Sequence, residues 1–255
     1  MEHALLLGGT RGLGRAVAWL LAPSIPRLSV VARQAAAPGQ LPPEARTWVA
    51  DLTDATATTE ALRRLLGENG PLSRVVFLAR YRGPAPDWDG ELALGLTATR
   101  RIVDELVRDH GLSNCGVVMV SSLAARLVSP QATLEYHVAK AGLVQLARYY
   151  AVRLGRRGIR VNAVCPGLFL KAESQQTLGA DPARRAACEA ATALGRIGTA
   201  EEVARVIAFL SGPEASFITG QAVIVDGGAS LRYYETLDGH SQAMLREPCH
   251  PTSHL

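Results

Sequence analysis

The chain has 255 residues, 48% of them hydrophobic and 20% charged. That is too apolar for a disordered chain and long enough for one sizeable core. The formal net charge is +4. The arginines are dispersed and no basic stripe is interleaved with aromatics, which argues against a nucleic-acid partner.

From the amino end, Met1-Glu2-His3 leads directly into an apolar run, with no basic lead and no small-residue cleavage site. No signal peptide is expected. No apolar stretch approaches the ~20 residues of a membrane helix, so a soluble, cytoplasmic protein is expected, with no membrane partner. The cysteines Cys115, Cys165, Cys188 and Cys249 form no CxxC pair, and the first two lie in or beside apolar runs. They read as reduced thiols.

Short branched apolar runs alternate with longer segments of helical period. The strands are expected at Ala4–Leu7, Leu28–Ala32, Thr47–Ala50, Arg74–Leu78, Gly116–Val120, Arg160–Val164 and Ala222–Val225. They are apolar on both faces, as buried parallel strands are. Helices are expected over 12–22, 55–66, 88–109, 134–155 and 200–210. This alternation predicts a single α/β domain over 1–230: a doubly wound, three-layer fold on a seven-stranded parallel sheet. Ala35–Pro43 is a Pro/Ala loop, and 231–255 is a polar tail rich in His and Pro.

The first strand breaks into Gly8, Gly12 and Gly14 before helix 12–22. Strand, glycine turn, helix is the layout that binds a dinucleotide pyrophosphate, because backbone N–H groups and the helix dipole can face the phosphates. Arg11 sits in this turn. The second strand ends at Arg33, where an acidic residue would bind the 2′-hydroxyl of NAD. Two cations and no carboxylate favour NADP/NADPH. Asp51, after the third strand, is placed to accept from the adenine amino group or, alternatively, to cap the helix that begins near Asp54.

The fifth strand ends in Ser121-Ser122, at the carboxyl edge where open α/β sheets bind ligands. Tyr136 follows Ser122 by 14 residues, and Lys140 lies four further on. On a helix, Tyr136 and Lys140 share one face. An ammonium beside a phenol lowers the phenol's pKa. The tyrosine can then pass a proton to a carbonyl oxygen that a serine hydroxyl steadies.

Taken in order, GGTRGLG, VSS, YHVAK, RVNAVCPGLF (Arg160–Phe169) and FITGQAVIVDGG (Phe217–Gly228) resemble the classical short-chain dehydrogenases/reductases over about residues 4–230. The resemblance implies a Rossmann-type fold and a catalytic set of Ser122 as carbonyl stabiliser, Tyr136 as general acid/base and Lys140. Cofactor contacts are expected from Gly8, Thr10, Arg11, Gly12, Leu13 and Gly14, from Arg33, Asp51 and Leu52, and from Ala79 and Arg80. Tyr136 and Lys140 would hold the nicotinamide ribose, and the backbone around Pro166, Gly167 and Phe169 the carboxamide. The resemblance also implies a homo-oligomer, tetramer or dimer, paired through helices 88–109 and 134–155.

The chain departs from the family pattern at four places. The family's Asn-Ala-Gly after the fourth strand is Leu78-Ala79-Arg80 here. Arg80 is then available to the cofactor's phosphates or to the substrate, and Arg80-Tyr81-Arg82 reads as an anion-recognition element or a solvated loop. The family's relay asparagine is Gly95, leaving Thr97 or Thr99 to hold a water. The Ser122–Tyr136 spacing is one longer than usual, which keeps Ser121 as a minor alternative. Lys171 replaces a threonine at the start of a substrate-covering segment of about 168–195, where it could bind an acidic substrate with help from Arg184 and Arg185.

His137 points about 100° from Tyr136 on the helix and reads as structural. The tail histidines lack ligand spacing, so no metal site is expected. The expected activity is NADPH-dependent interconversion of a carbonyl and a secondary alcohol on a small polar substrate. Two alternatives stand beside it: redox-assisted epimerisation or dehydration of a sugar-type substrate, and a non-catalytic NADP-binding partner protein.

Overall fold

The computed structural model describes residues 2–84, 86–129, 131–170 and 181–232. Seven strands form one parallel sheet: β1 (His3–Leu7), β2 (Arg27–Ala32), β3 (Ala45–Val49), β4 (Arg74–Phe77), β5 (Gly116–Val120), β6 (Arg160–Pro166) and β9 (Ala222–Val225). Their order is β3-β2-β1-β4-β5-β6-β9. The order reverses between β1 and β4, the switch point at which such sheets bind ligands. All seven expected strands are present, with ends shifted by up to two residues.

Side-chain alternation divides the core. Leu5 and Leu7 of β1 face one layer, with Leu62 and Leu65 of α2 (Ala55–Asn69), Ile102 and Leu106 of α4 (Thr99–Arg108), and Leu143 and Ala147 of α5 (Leu134–Leu154). Ala4 and Leu6 face the other. That layer holds Val17 and Leu21 of α1 (Gly12–Leu21) and Ile207 and Leu210 of α7 (Ala200–Ser211). A strand covered on both faces has no polar side to show, which is why the inner strands read as apolar runs, whereas β3, at the sheet edge, exposes Arg46 and Val49. Cys115 and Cys165 are buried free thiols, and burial pushes Cys115 up to about 12.

Three features correct the sequence reading. The expected helix 88–109 is a run of three parts: α3 (Trp88–Leu92), a π-helical turn over Ala93–Ala98, and α4. Gly95 lies inside the wide turn. A second sheet of two short strands pairs β7 (Phe169–Leu170) with β8 (Gly198–Thr199), and α6 (Pro182–Ala190) lies between them in sequence. The expected tail begins inside the packed fold, since the Arg232 guanidinium donates to the carbonyls of Ala190 and Thr192.

The β1–α1 turn is built from missing side chains. Gly8 has φ +80°, and a Cβ there would lie 2.8 Å from the backbone of Ala79. A Cβ on Gly14 would lie 2.4 Å from the Cα of Gly9. The first turn of α1 can therefore press against the end of β1 only while position 14 is bare. Gly14→Ala should cost about 1–3 kcal/mol of stability in urea unfolding, because backbone and not a flexible side chain stands in the way.

His3, at the start of β1, is fully buried. Its Nδ1 donates to the Gly70 carbonyl at 2.9 Å, and its Nε2 lies 2.9 Å from Ser29 Oγ, from which it accepts. Burial holds its pKa below the ordinary 6.5. Below 6.5 the unfolded chain binds a proton that the folded chain refuses. The stabilisation is full above that pH and is lost as pH falls toward the folded value. Urea unfolding between about pH 7.5 and about pH 5.5 should lose up to about 1.4 kcal/mol per pH unit, a slope that His3→Gln flattens.

Candidate functional site

A cleft of about 1150 Å³ opens along the carboxyl ends of β1, β2, β4, β5 and β6. At one end is the glycine turn. Arg11 is the extended N-cap of α1 (φ −139°, ψ 163°), and its side chain does not cap the helix. The Pro/Ala loop folds back over the turn. Gln40 Nε2 donates to the Thr10 carbonyl at 2.5 Å, while its Oε1 accepts from Ala37 N at 2.8 Å. Arg33 and Asp51 are both exposed at this end. Asp51 Oδ1 accepts from Thr53 N (2.9 Å) and Thr53 Oγ1 (2.7 Å). Those bonds and the nearby Arg33 charge hold its carboxyl below the ordinary value, against a smaller opposing effect of burial. The α2 cap is Asp54, whose side chain accepts from Ala57 N at 3.0 Å.

The other end is made by β5 and α5. Ser121 is buried and its hydroxyl donates to the Lys140 carbonyl at 2.7 Å. Ser122 is half-buried, faces the cleft and accepts from Ala124 N at 3.2 Å. Ser121 joins strand to helix, while the Ser122 hydroxyl is tied only to the turn that follows it, and both line the cleft with Tyr136. Lys140 is 7% exposed, and its Nζ donates to the Val120 carbonyl at 3.1 Å. The Nζ lies 5.6 Å from the Tyr136 ring centroid. His137 turns away from the cleft: its Nδ1 donates to the Thr133 carbonyl at 2.7 Å, and its Nε2 accepts from Ser129 N at 2.9 Å. This holds the irregular loop that absorbs the extra residue between Ser122 and Tyr136.

Every described residue singled out from the sequence as catalytic or cofactor-binding lines this one cleft. Gly8, Thr10, Arg11, Gly12, Leu13 and Gly14 lie along the turn, and Arg33, Asp51 and Leu52 beside it. Ala79, Arg80 and Arg82 follow β4, and Pro166, Gly167 and Phe169 lie at and beyond the end of β6. Lys171 lies outside the described residues. Arg184 donates to Gln131 Oε1 at 3.1 Å, and Arg185 pairs with Glu189 at 2.9 Å. Arg184 is thus tied to a rim residue, and Arg185 to its own helix. Of the two threonines near Gly95, Thr97 is exposed, while Thr99 is buried and lines a pocket of about 10 Å³ next to Gly95.

The contact that the sequence conceals is that of Arg80. Its guanidinium carbon stands 5.3 Å over the Tyr136 ring centroid. Its loop is fastened to α5: the Tyr81 hydroxyl donates to Asp87, which caps α3, and Asp87 N donates to Glu135 Oε1 at 3.0 Å. Gln40, Ser129 and Gln131 also line the cleft. A polar side chain inside a loop gives no periodic signal by which to find it.

The residues fit a nicotinamide dinucleotide. The bare positions 8 and 14 leave a cradle that a Cβ would fill. The start of α1 supplies donors for a pyrophosphate, and the cleft runs unbroken from there to Tyr136. Among the described residues, no cluster of His, Cys, Asp and Glu could hold a metal, and no helix is long and apolar enough to cross a membrane.

Residues 9–230 match the family model described as enoyl-(acyl carrier protein) reductase. The chain is 30% identical over 248 residues to the 3-oxoacyl-(acyl-carrier-protein) reductase FabG of Thermotoga maritima, covering 88% of this chain and 96% of that protein. Among solved structures it is similar to the TT0495 protein of Thermus thermophilus, with a TM-score of 0.77 at 31% identity over 91% and 99% of the two chains. It is also similar to a short-chain dehydrogenase/reductase of Serratia marcescens, with a TM-score of 0.76 at 26% identity over 90% and 98%. Matches of this length, in sequence and in fold alike, bear out the resemblance carried by the motifs: the chain belongs to the classical short-chain dehydrogenase/reductase family, oxidoreductases of carbonyl and alcohol groups.

Proposed function

We propose that the protein is an NADPH-dependent reductase, or in the reverse sense a dehydrogenase, that interconverts a carbonyl and a secondary alcohol on a small polar substrate. The convergence of Ser122, Tyr136 and Lys140 at one end of the cleft, with the glycine turn at the other, carries this reading. A nicotinamide dinucleotide held by the glycine turn and the Pro166–Phe169 backbone would supply hydride chemistry at the carbonyl carbon. Ser122 donates a hydrogen bond to the carbonyl oxygen and holds it against the Tyr136 hydroxyl. Tyr136 gives its proton to that oxygen as negative charge develops there. The buried Lys140 ammonium stabilises the phenolate that remains. In the oxidative direction Tyr136 takes the proton back.

The exposed Arg11 and Arg33 at the mouth, with no acid at the end of β2, support a phosphorylated adenosine over a free 2′-hydroxyl. Association of copies of the chain through α4 and α5 belongs to the same reading. The apolar side chains that α5 leaves exposed, Val138, Tyr149 and Val152, support it.

Tyr136→Phe should reduce turnover by at least about 10²-fold while cofactor titration still shows binding, since it removes the proton donor and little else. Full activity in that variant would remove Tyr136 from the chemistry. In a second measurement, wild type should bind NADPH more tightly than NADH, and Arg33→Ala should lose about tenfold of that preference. Equal binding of the two cofactors by wild type would remove the assignment of Arg11 and Arg33.

A further inference from the structure

Arg80 stands where the family places a residue without a side chain, and it faces the reacting end of the cleft. Its guanidinium lies 5.3 Å over the ring of Tyr136. A group attached beside a carbonyl held on the Tyr136 hydroxyl would come within its reach. Arg82, two residues on, lines the same opening.

Asp87 and Glu135, on the elements that fasten the Arg80 loop, are engaged with other groups. Asp87 accepts from the Tyr81 hydroxyl and from Gly90 N at 2.9 Å. Glu135 accepts from Asp87 N. Glu91 feels both Arg80 and Lys140, and burial raises its carboxyl above the ordinary value. Among the described residues Arg80 forms neither a salt bridge nor a hydrogen bond with any of the three. A planar guanidinium in this position presents paired N–H donors, the geometry that matches a carboxylate. The Tyr81–Asp87–Glu135 ties fix its loop to the helix that carries Tyr136, so cation and proton donor are held together before the substrate arrives.

We propose that Arg80 binds an anionic group adjacent to the reacting carbonyl, so that the substrates are α- or β-oxo acids and the corresponding hydroxy acids. This rests on the oxidoreductase reading above and adds the substrate's charge and where that charge sits. Arg82 widens the positive rim, and the fork of Arg80 sets the distance between carboxylate and carbonyl.

The test compares NADPH-dependent reduction of pyruvate and acetoacetate with that of their methyl esters. The full chain is used as wild type, Arg80→Ala, Arg80→Lys, and Arg63→Ala as a charge control on α2, outside the cleft. Wild type and Arg63→Ala should favour the acids in kcat/KM by about tenfold or more. Arg80→Ala should abolish the preference, chiefly through KM for the acids, and Arg80→Lys should recover part of it as a point charge.

Four outcomes would overturn the proposal. They are esters used as well as acids by wild type, a preference that survives in Arg80→Ala, reduction of neutral ketones alone, and an Arg80→Ala defect that titration traces to NADPH affinity. Wild type that binds no nicotinamide cofactor and reduces neither acids, esters nor neutral aldehydes and ketones would overturn the oxidoreductase reading itself, a result distinct from those four.

Discussion

The reacting end of the molecule depends on a reciprocal clasp between the last residues of β5 and the middle of α5. Ser121 donates to the carbonyl of Lys140, and Lys140 donates through Nζ to the carbonyl of Val120. A lysine 7% exposed carries a desolvation cost that an apolar residue would not. The carbonyl at its head and the anchored backbone beneath it offset that cost. In return the helix cannot slide or rotate on the sheet without breaking both bonds. Tyr136 lies one turn earlier on the same face, so the clasp also holds the stretch of helix that carries it.

The cleft is shaped as much by what is missing as by what is present. At the β1–α1 turn the backbone of Gly8 approaches Ala79, and the backbone of Gly14 approaches Gly9, because neither glycine carries a Cβ. Next to Ala79 the chain does the opposite and places a long cationic side chain at position 80. One strand end therefore serves two purposes. Its backbone closes against the glycine turn, while its side chain reaches across the opening to Tyr136. The charges follow the same division, with Arg11 and Arg33 at the glycine end and Arg80, Arg82 and Lys140 at the other.

The large sheet was legible because its inner strands are covered on both faces, and burial on both faces leaves a nearly continuous apolar run. The pairing of Tyr136 and Lys140 was legible because helical geometry alone puts them on one face. What was hidden depends on contacts without a period. The π-helical turn at Ala93–Ala98 has the composition of an ordinary helix, and Gly95 inside it reads as a weak helical residue. The pairing of Phe169–Leu170 with Gly198–Thr199 spans two residues a side, too short to leave a pattern. The stacking of Arg80 on Tyr136 joins a loop to a helix far along the chain, and only the fold brings them together. Arg80 was marked by its departure from the family pattern, yet its direction could not be read until α5 was in place.

The small β7–β8 ladder has a consequence for how such a protein can diversify. Phe169 pairs with Gly198, so two positions far apart in sequence are held side by side at the rim of the cleft. Whatever lies between begins and ends at a fixed gate. Closing a longer excursion there costs only about 0.6 kcal/mol for each doubling of its length. Added length between the two short strands therefore has little closure cost, while Ala190, Thr192 and Leu194 on the returning side stay bonded to the fold and Ile197 stays buried. New length at this point can therefore change the mouth of the cleft while the packed residues before Gly198 keep their bonds to the fold.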